Sequence, residues 1–197
     1  KAAAFPSFDA KSMPQTDAQI TKTLTDLKQQ QDEDPYDPQS LVKAVLANNP
    51  SWVDEVLADK RIKIDTPDDE GRTPLMLSTR KGIKIEIMHA LIKANANVLL
   101  KDKDGRTALL HAARNDNAEG VLFLCRAKSD FDAMDKFNWT SVMYGAANNN
   151  IEIIKTLAEY NANFTPSEPG QDCALFLTIE NNNRDAFLEV LRGGANI

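Results

Sequence analysis

The chain is poor in the residues from which most catalytic and metal sites are built. Its 197 residues include two histidines and two cysteines, Cys125 and Cys173. Two cysteines are too few for a disulfide framework or a four-ligand zinc site, so both are expected to be free thiols. No apolar run approaches the roughly 18 residues that a membrane-spanning helix requires. A membrane span is therefore excluded.

Basic residues are also in deficit. The chain has 23 Lys and Arg against 29 Asp and Glu, which gives a net charge of -6. An acidic surface repels phosphate backbones unless basic residues are segregated into a patch, and no basic run is present. A nucleic-acid partner is therefore not expected.

The start of the chain leaves its compartment open. The first residues are KAAAF, without an initiating Met. Three alanines resemble the small-residue end of an export signal, although the apolar segment that precedes such an end is absent. Export, to a bacterial periplasm or out of the cell, and a cytoplasmic location are equally compatible with this sequence.

One motif recurs along the chain at a nearly constant spacing. DDEGRTPLMLSTRKG starts at Asp68, DKDGRTALLHAARND at Asp102, DKFNWTSVMYGAANN at Asp135 and EPGQDCALFLTIENN at Glu168. A fixed period of this length indicates stacked repeats, because one such unit cannot bury its apolar face alone.

Each copy has the pattern of a polar turn followed by two helices. Gly71 and Gly105 stand where the turn needs a positive φ, and Asn138 is the next most tolerant residue there. Thr107 and its counterparts precede the first helix as candidate N-caps. The second helix carries apolar residues at helical spacing, for example at Ile153 and Leu157. The upstream stretch SLVKAVLANNPSWVDEVLADK fits the same pattern without the turn.

These residues resemble the ankyrin repeat, whose pattern is an Asp-x-x-Gly turn, T-P-L-H, a small pair and a closing Gly-Ala-Asp or Gly-Ala-Asn. The matching stretches are DEGRTPLMLSTRKG, DGRTALLHAARND and NWTSVMYGAANN, with the tails NANV, NANF and GANI. The His of the family pattern is replaced by apolar residues, namely Met76, Leu110, Met143 and Phe176. Apolar packing is therefore expected in place of the hydrogen bond that this His supplies between repeats.

The resemblance covers about residues 40–197 and implies an all-α solenoid of about five ankyrin-like helix-turn-helix repeats, with an additional N-terminal helix. Residues 1–13 are expected to be irregular, 14–38 to form the N-terminal helix and a linker, and 39–197 to form the repeat domain. The expected repeats span 39–67, 68–101, 102–134, 135–167 and 168–197. The last copy lacks the T-P pair, which fits either a C-terminal cap or a truncated chain.

For function, the resemblance implies a non-catalytic module that binds a partner protein through the concave face and turn tips of its repeats. No constellation of nucleophile and base points to an enzyme, and no cofactor or metal site is expected. A periplasmic or secreted protective or anchoring protein remains an alternative, as does a regulatory subunit of an enzyme. The chain is expected to be a monomer with one unidentified protein partner.

The family's binding face, transferred position by position, gives a set of candidate partner-binding residues. They are Asp69, Glu70, Arg72, Arg80, Lys81, Lys103, Asp104, Arg106, Arg114, Lys136, Phe137, Trp139, Asp172 and Glu180. Aromatic and Arg side chains are the usual interface anchors, which favours Phe137 and Trp139. It also favours Arg80, Arg106 and Arg114, which are expected to make one part of the groove a basic binding patch. As an anchor, Trp139 should be removable without a change in the melting curve; the alternative is that it folds back onto the neighbouring turn.

His111 lies close in sequence to Asp102, Asp104 and Arg106, a neighbourhood that suggests a catalytic or metal-binding histidine. The repeat pattern favours a structural role instead. The other copies place Leu77, Tyr144 and Leu177 at its position. A position that accepts these residues is a packing position, so His111 is predicted to be a partly buried structural histidine.

Overall fold

The computed structural model describes residues 37–165 and 174–195, and ten helices lie within these two ranges. The helices form five consecutive pairs. The pairs are α1 (Ser40–Leu46) with α2 (Pro50–Ala58), α3 (Pro74–Ser78) with α4 (Ile85–Lys93), α5 (Ala108–Arg114) with α6 (Ala118–Arg126), α7 (Ser141–Ala147) with α8 (Ile151–Glu159), and α9 (Ala174–Glu180) with α10 (Arg184–Arg192). No strand occurs in the described ranges, and the predicted all-α solenoid is confirmed.

The expected irregular segment at 1–13 and the expected N-terminal helix lie outside the described residues. The first described helix is α1, which starts at Ser40. The expected repeat boundaries therefore stay predictions, whereas the alternation of short and longer helices from Ser40 onward is observed directly.

Side-chain caps explain where the helices begin. Thr107 caps α5 by accepting the backbone N–H of Leu110 at 3.4 Å, and Thr73 and Thr140 act in the same way on α3 and α7. An Asn begins most of the second helices; Asn117, for example, accepts the N–H of Gly120 at 2.8 Å. These polar side chains satisfy N–H groups that a helix start leaves without an intrahelical partner.

Left-handed residues recur at fixed places and turn the chain between helices. Gly71 and Gly105 have φ of 78° and 77° in the Asp-rich turns, and Asn138 has φ of 61°, as the sequence predicts. Lys128 ends α6 with φ of 60°, a conformation in which a residue with a Cβ is strained. Gly82, in the connection between α3 and α4, has φ of 88°.

The pairs stack in register, first helix on first helix and second helix on second helix. The second residue of each first helix is a buried apolar residue; these residues are Leu41, Leu75, Leu109, Val142 and Leu175. Asparagines at the ends of the first helices tie each repeat to the preceding one. Their side-chain amides donate from Asn115 to Thr79 Oγ1 (3.2 Å), from Asn148 to the Ala113 carbonyl (2.9 Å) and from Asn181 to the Ala146 carbonyl (3.2 Å).

Candidate partner-binding face

Three turns with the same internal geometry form one edge of the stack. They begin at Asp68, Asp102 and Asp135 and are named here by those residues. In each turn, one carboxylate oxygen accepts the backbone N–H groups two and four residues ahead, at 2.8 to 3.0 Å. This pattern is a local hydrogen-bonded turn that Asp supports well. The first carboxylate oxygen therefore shapes the turn, and the second oxygen is available for another partner.

In the Asp102 turn, the second oxygen binds His111. The Nε2 atom of His111 lies 2.7 Å from Asp102 Oδ2, and both side chains are almost entirely buried. Burial raises the pKa of Asp102, but hydrogen bonds from His111 and from the Arg106 backbone outweigh it, and the pKa lies below its usual value. Burial lowers the pKa of His111 more than the Asp102 carboxylate raises it. His111 is thus a neutral, buried structural residue, as the sequence predicts.

In the Asp135 turn, the second oxygen has two partners from different repeats. The Tyr144 hydroxyl donates to Asp135 Oδ2 at 2.6 Å, and Arg106 Nε donates to the same oxygen at 3.4 Å. The Asp135 side chain has no solvent exposure. Burial raises the pKa of Tyr144, and the bond to Asp135 raises it further. The hydroxyl is therefore a donor at neutral pH, and the cluster bridges two neighbouring repeats.

Arg106 does not occupy the exposed position expected of a partner-binding residue. Its side chain is 5% exposed, it bonds to Asp104 through Nη1, and it reaches Asp135 of the next turn. A guanidinium held by two carboxylates in a buried site is committed to the fold. The expectation that Arg106 contributes to a basic binding patch is therefore corrected.

Trp139 is likewise placed inward. It is 8% exposed, its ring centroid lies 5.0 Å from that of Tyr144, and its backbone N–H donates to Asp135 Oδ1 at 3.0 Å. This placement corresponds to the alternative in which the ring folds back. Truncating Trp139 would open a cavity beside Tyr144, so an unchanged melting curve is no longer expected.

Phe137, two residues before Trp139, remains on the surface. It is 48% exposed, and the Lys136 ammonium lies 5.1 Å from its ring centroid. Lys136 also lies 2.5 Å from Asp104 Oδ1, and this hydrogen bond lowers the pKa of Asp104. The Asp135 turn thus presents one aromatic ring and one ion pair to solvent.

The other candidates differ in exposure. Exposed positions are Asp69, Glu70, Lys81, Lys103 and Glu180. Arg72 pairs with Asp68 at 2.8 Å, and Arg80 and Arg114 are half-buried. Asp172 lies outside the described residues.

Comparison with known proteins supplies the family. A model for ankyrin repeats, in three copies, matches residues 41–135. Residues 41–135 of this chain are ankyrin repeats. The matched region contains α1 to α6 and ends at the first residue of the Asp135 turn.

A relative with a named activity matches only part of this chain. The Danio rerio protein named "Putative palmitoyltransferase ZDHHC13" is 40% identical over 77 residues. The match covers 39% of this chain and 12% of that protein. Because so little of the relative is covered, the activity in its name belongs to that protein and is not transferred.

The cysteine thiols and the metal-binding side-chain types are the candidate sites of chemistry. Burial raises the pKa of the Cys125 thiol to about 12, which keeps it protonated and poorly nucleophilic at neutral pH. Cys173 lies outside the described residues. Within residues 37–165 and 174–195, no cluster of three His, Cys, Asp or Glu could hold a metal ion. No helix in the same part of the chain is both long and apolar enough to span a membrane.

The role of Asp135 and Tyr144 is absent from the candidates that the sequence provides. A signal was present, since in two of the three turns the position nine residues after the first Asp holds a polar side chain, His111 or Tyr144. Both side chains can donate a hydrogen bond to a carboxylate. The repeat alignment treated that position as apolar packing because Leu77 occupies it in another copy.

Proposed function

We propose that this chain is a non-catalytic interaction module that binds a partner protein through its turn tips and the adjoining concave face. The observation that carries the proposal is Phe137, an aromatic side chain that is 48% exposed. The buried Asp135 carboxylate holds the backbone of this turn in place. The Phe137 ring therefore loses little conformational freedom when a partner binds. Preorganised aromatic side chains are common anchors of protein interfaces.

The proposed surface is smaller than the sequence suggests, because Arg106 and Trp139 are buried. Around Phe137 it contains the ion pair of Lys136 with Asp104 and, on the preceding turns, exposed charges of both signs. Those charges are Asp69, Glu70 and Lys103, with Lys81 between α3 and α4 and Glu180 at the end of α9. A mixed rim around an apolar anchor favours a protein partner over a polyanion.

The proposal that the module is non-catalytic rests on how its titratable groups are used. His111 and Asp102 are paired and buried, Tyr144 donates to Asp135, and Cys125 is protonated. A catalytic group needs access to substrate and a pKa matched to its task. None of these side chains combines the two properties.

Phe137→Ala tests the proposed surface. We expect it to weaken partner binding by about 2 kcal/mol and to leave the free energy of unfolding nearly unchanged, because half of the ring is already in water. The intact chain, Phe137→Ala and Leu99→Ala would serve as baits in extracts of the cells that make the protein. Captured proteins are quantified by mass spectrometry, and binding of the purified partner is then measured by calorimetry.

Leu99→Ala is the matched control, because Leu99 is 55% exposed but lies in the segment that joins α4 to the Asp102 turn. A partner of the proposed surface is retained by the intact chain and by Leu99→Ala and is lost from Phe137→Ala. Identical sets of captured proteins with all three baits would refute the proposed surface.

A further inference from the structure

Neighbouring turns of the stack are joined to each other by backbone hydrogen bonds. The N–H of Lys103 donates to the carbonyl of Glu70 at 3.3 Å, and the N–H of Lys136 donates to the carbonyl of Asp104 at 2.8 Å. In both bonds the donor is the residue after the first Asp of its turn, and the acceptor lies two residues after the first Asp of the preceding turn. The carbonyl at this position is therefore where the backbone of the next turn binds.

The Asp135 turn has the same acceptor, the carbonyl of Phe137, but the next copy of the motif does not have the same donor. None of the hydrogen bonds among residues 37–165 and 174–195 reaches this carbonyl. The residue at the donor position of the next copy is Pro169, and proline has no backbone N–H. The register that pairs the earlier turns therefore provides no donor for the Phe137 carbonyl.

The Asp135 turn also differs in shape from the earlier turns. A Cβ added to Gly71 or Gly105 would lie 3.2 or 3.4 Å from the backbone N of the lysine that binds there. Asn138 holds this position in the Asp135 turn and carries a Cβ. The Asp135 turn is thus not built for the closest approach of a following turn. A separate chain can stand slightly further away, because a carbonyl oxygen accepts hydrogen bonds over a broad range of directions.

We propose, as an extension of the partner-binding function above, that the partner presents an extended peptide segment to the Asp135 turn and donates one backbone N–H to the Phe137 carbonyl. Lys136, Phe137 and Asn138 are all exposed, so the segment reaches this carbonyl from solvent. An apolar side chain of the segment packs on the Phe137 ring while the backbone is bound. An extended segment is favoured over a helix, because a helix uses its N–H groups internally except in its first turn.

Peptides selected from a displayed library of random dodecapeptides test the proposal with the full chain. Peptides are kept when they bind the intact chain and Leu99→Ala but not Phe137→Ala. Each is resynthesised with one N-methylated residue at a time, and its dissociation constant is measured by calorimetry. We expect N-methylation at one position to raise the dissociation constant at least about tenfold, because it removes the N–H that the Phe137 carbonyl accepts.

NMR observes the carbonyl itself. The carbonyl carbon of Phe137, detected through the amide of Asn138 in an HNCO spectrum, should shift downfield when a selected peptide is added. The same peptide with the critical residue N-methylated should not cause this shift. The carbonyl of Asp104, detected through the amide of Gly105, is the matched control, because it already accepts the N–H of Lys136 and should not shift.

The outcomes separate this proposal from the proposed surface. Peptides that require Phe137 but tolerate N-methylation at every position, or that leave the Phe137 carbonyl resonance unchanged, would overturn the backbone bond and leave the surface supported. A library that yields no peptide sensitive to Phe137→Ala would overturn the surface as well. A Phe137 carbonyl resonance that shifts with protein concentration in the absence of peptide would overturn the proposal in favour of a second copy of this chain.

Discussion

The Asp102 and Asp135 turns share their backbone and differ in what holds their second carboxylate oxygen. In the Asp102 turn, the partner is His111 of the same repeat. In the Asp135 turn, the partners are Tyr144 of the same repeat and Arg106 of the preceding one. The first arrangement contains a histidine whose pKa is lowered from its ordinary value by burial, and the second contains no histidine. Two turns with the same backbone thus differ in how their stability depends on pH, because the side chain nine residues after the Asp differs.

The difference also determines what each turn shows to solvent. The position four residues after the turn Asp carries Arg106 in one turn and Trp139 in the other. Both side chains are drawn into the cluster around Asp135, so this cluster, which spans two repeats, removes two of the expected partner-binding residues from the surface. Phe137 is left as the exposed aromatic side chain of the Asp135 turn.

Of the substitutions that compare the two turns, Asp135→Ala should cause the largest loss in the free energy of unfolding. It removes a fully buried carboxylate and leaves the Arg106 guanidinium, the Tyr144 hydroxyl and two backbone N–H groups without that acceptor. Removing one partner of a buried ion pair costs about 3 to 5 kcal/mol, and we expect a loss of this size in the free energy of unfolding. Urea denaturation monitored by circular dichroism gives the measurement.

Asp68→Ala is the control, because the Asp68 turn has the same backbone bonds but a more exposed pair, with Arg72 22% and Asp68 15% exposed. We expect it to cost about 1 to 2 kcal/mol. Equal losses for the two variants would mean that the cross-repeat cluster adds nothing to the turn itself.

Tyr144→Phe should have an intermediate effect. It removes one donor to Asp135 while keeping the ring that packs on Trp139, and it makes the Asp135 turn resemble the Asp68 turn, where Leu77 occupies this position. Leaving a buried polar group short of a partner costs about 1 to 3 kcal/mol. Urea denaturation measures the loss in the free energy of unfolding. Tyr160→Phe, which removes a hydroxyl from a half-buried ring, is the control. No larger loss for Tyr144→Phe than for Tyr160→Phe would contradict the role given to the hydroxyl.

The features that the sequence predicts correctly depend on local chemistry. Thr107 caps its helix, Gly105 adopts a positive φ, and Asn138 replaces Gly in the same conformation, because each requirement is met within a few residues. The period of the motif then places these elements in a stack. Residue identity and spacing are therefore sufficient for the helices, the turns and the family.

The features that the sequence misses depend on contacts between side chains. Arg72 and Arg106 have the same neighbours in sequence, but only Arg106 meets a buried carboxylate, and that carboxylate belongs to Asp135 of the next repeat. Trp139 instead packs against the ring of Tyr144 in its own repeat. Whether a polar or aromatic side chain faces a partner or the core is fixed by such side-chain contacts, which the spacing of the repeats does not specify.

Substitution of His111 should have the smallest effect on the free energy of unfolding. That effect should depend on pH in the Asp102 turn and thereby distinguish it from the Asp135 turn. Its pKa in the folded chain is lowered from 6.5 by burial, so below about pH 6.5 the unfolded chain takes up a proton that the folded chain does not. The stabilising contribution is therefore complete above that pH and is lost as the pH falls. Asp102 acts in the same direction only below its ordinary pKa of 3.8.

Between pH 7 and pH 5, His111→Gln should thus reduce the fall in the free energy of unfolding, by at most about 1.4 kcal/mol per pH unit. Gln keeps an N–H donor for Asp102, so the turn itself is preserved. Urea denaturation at a series of pH values compares the intact chain, His111→Gln and the exposed-site control His89→Gln. If the curve of His111→Gln ran parallel to that of the intact chain, the Asp102 turn would be no more sensitive to pH than the Asp135 turn, and the proposed difference between them would fail.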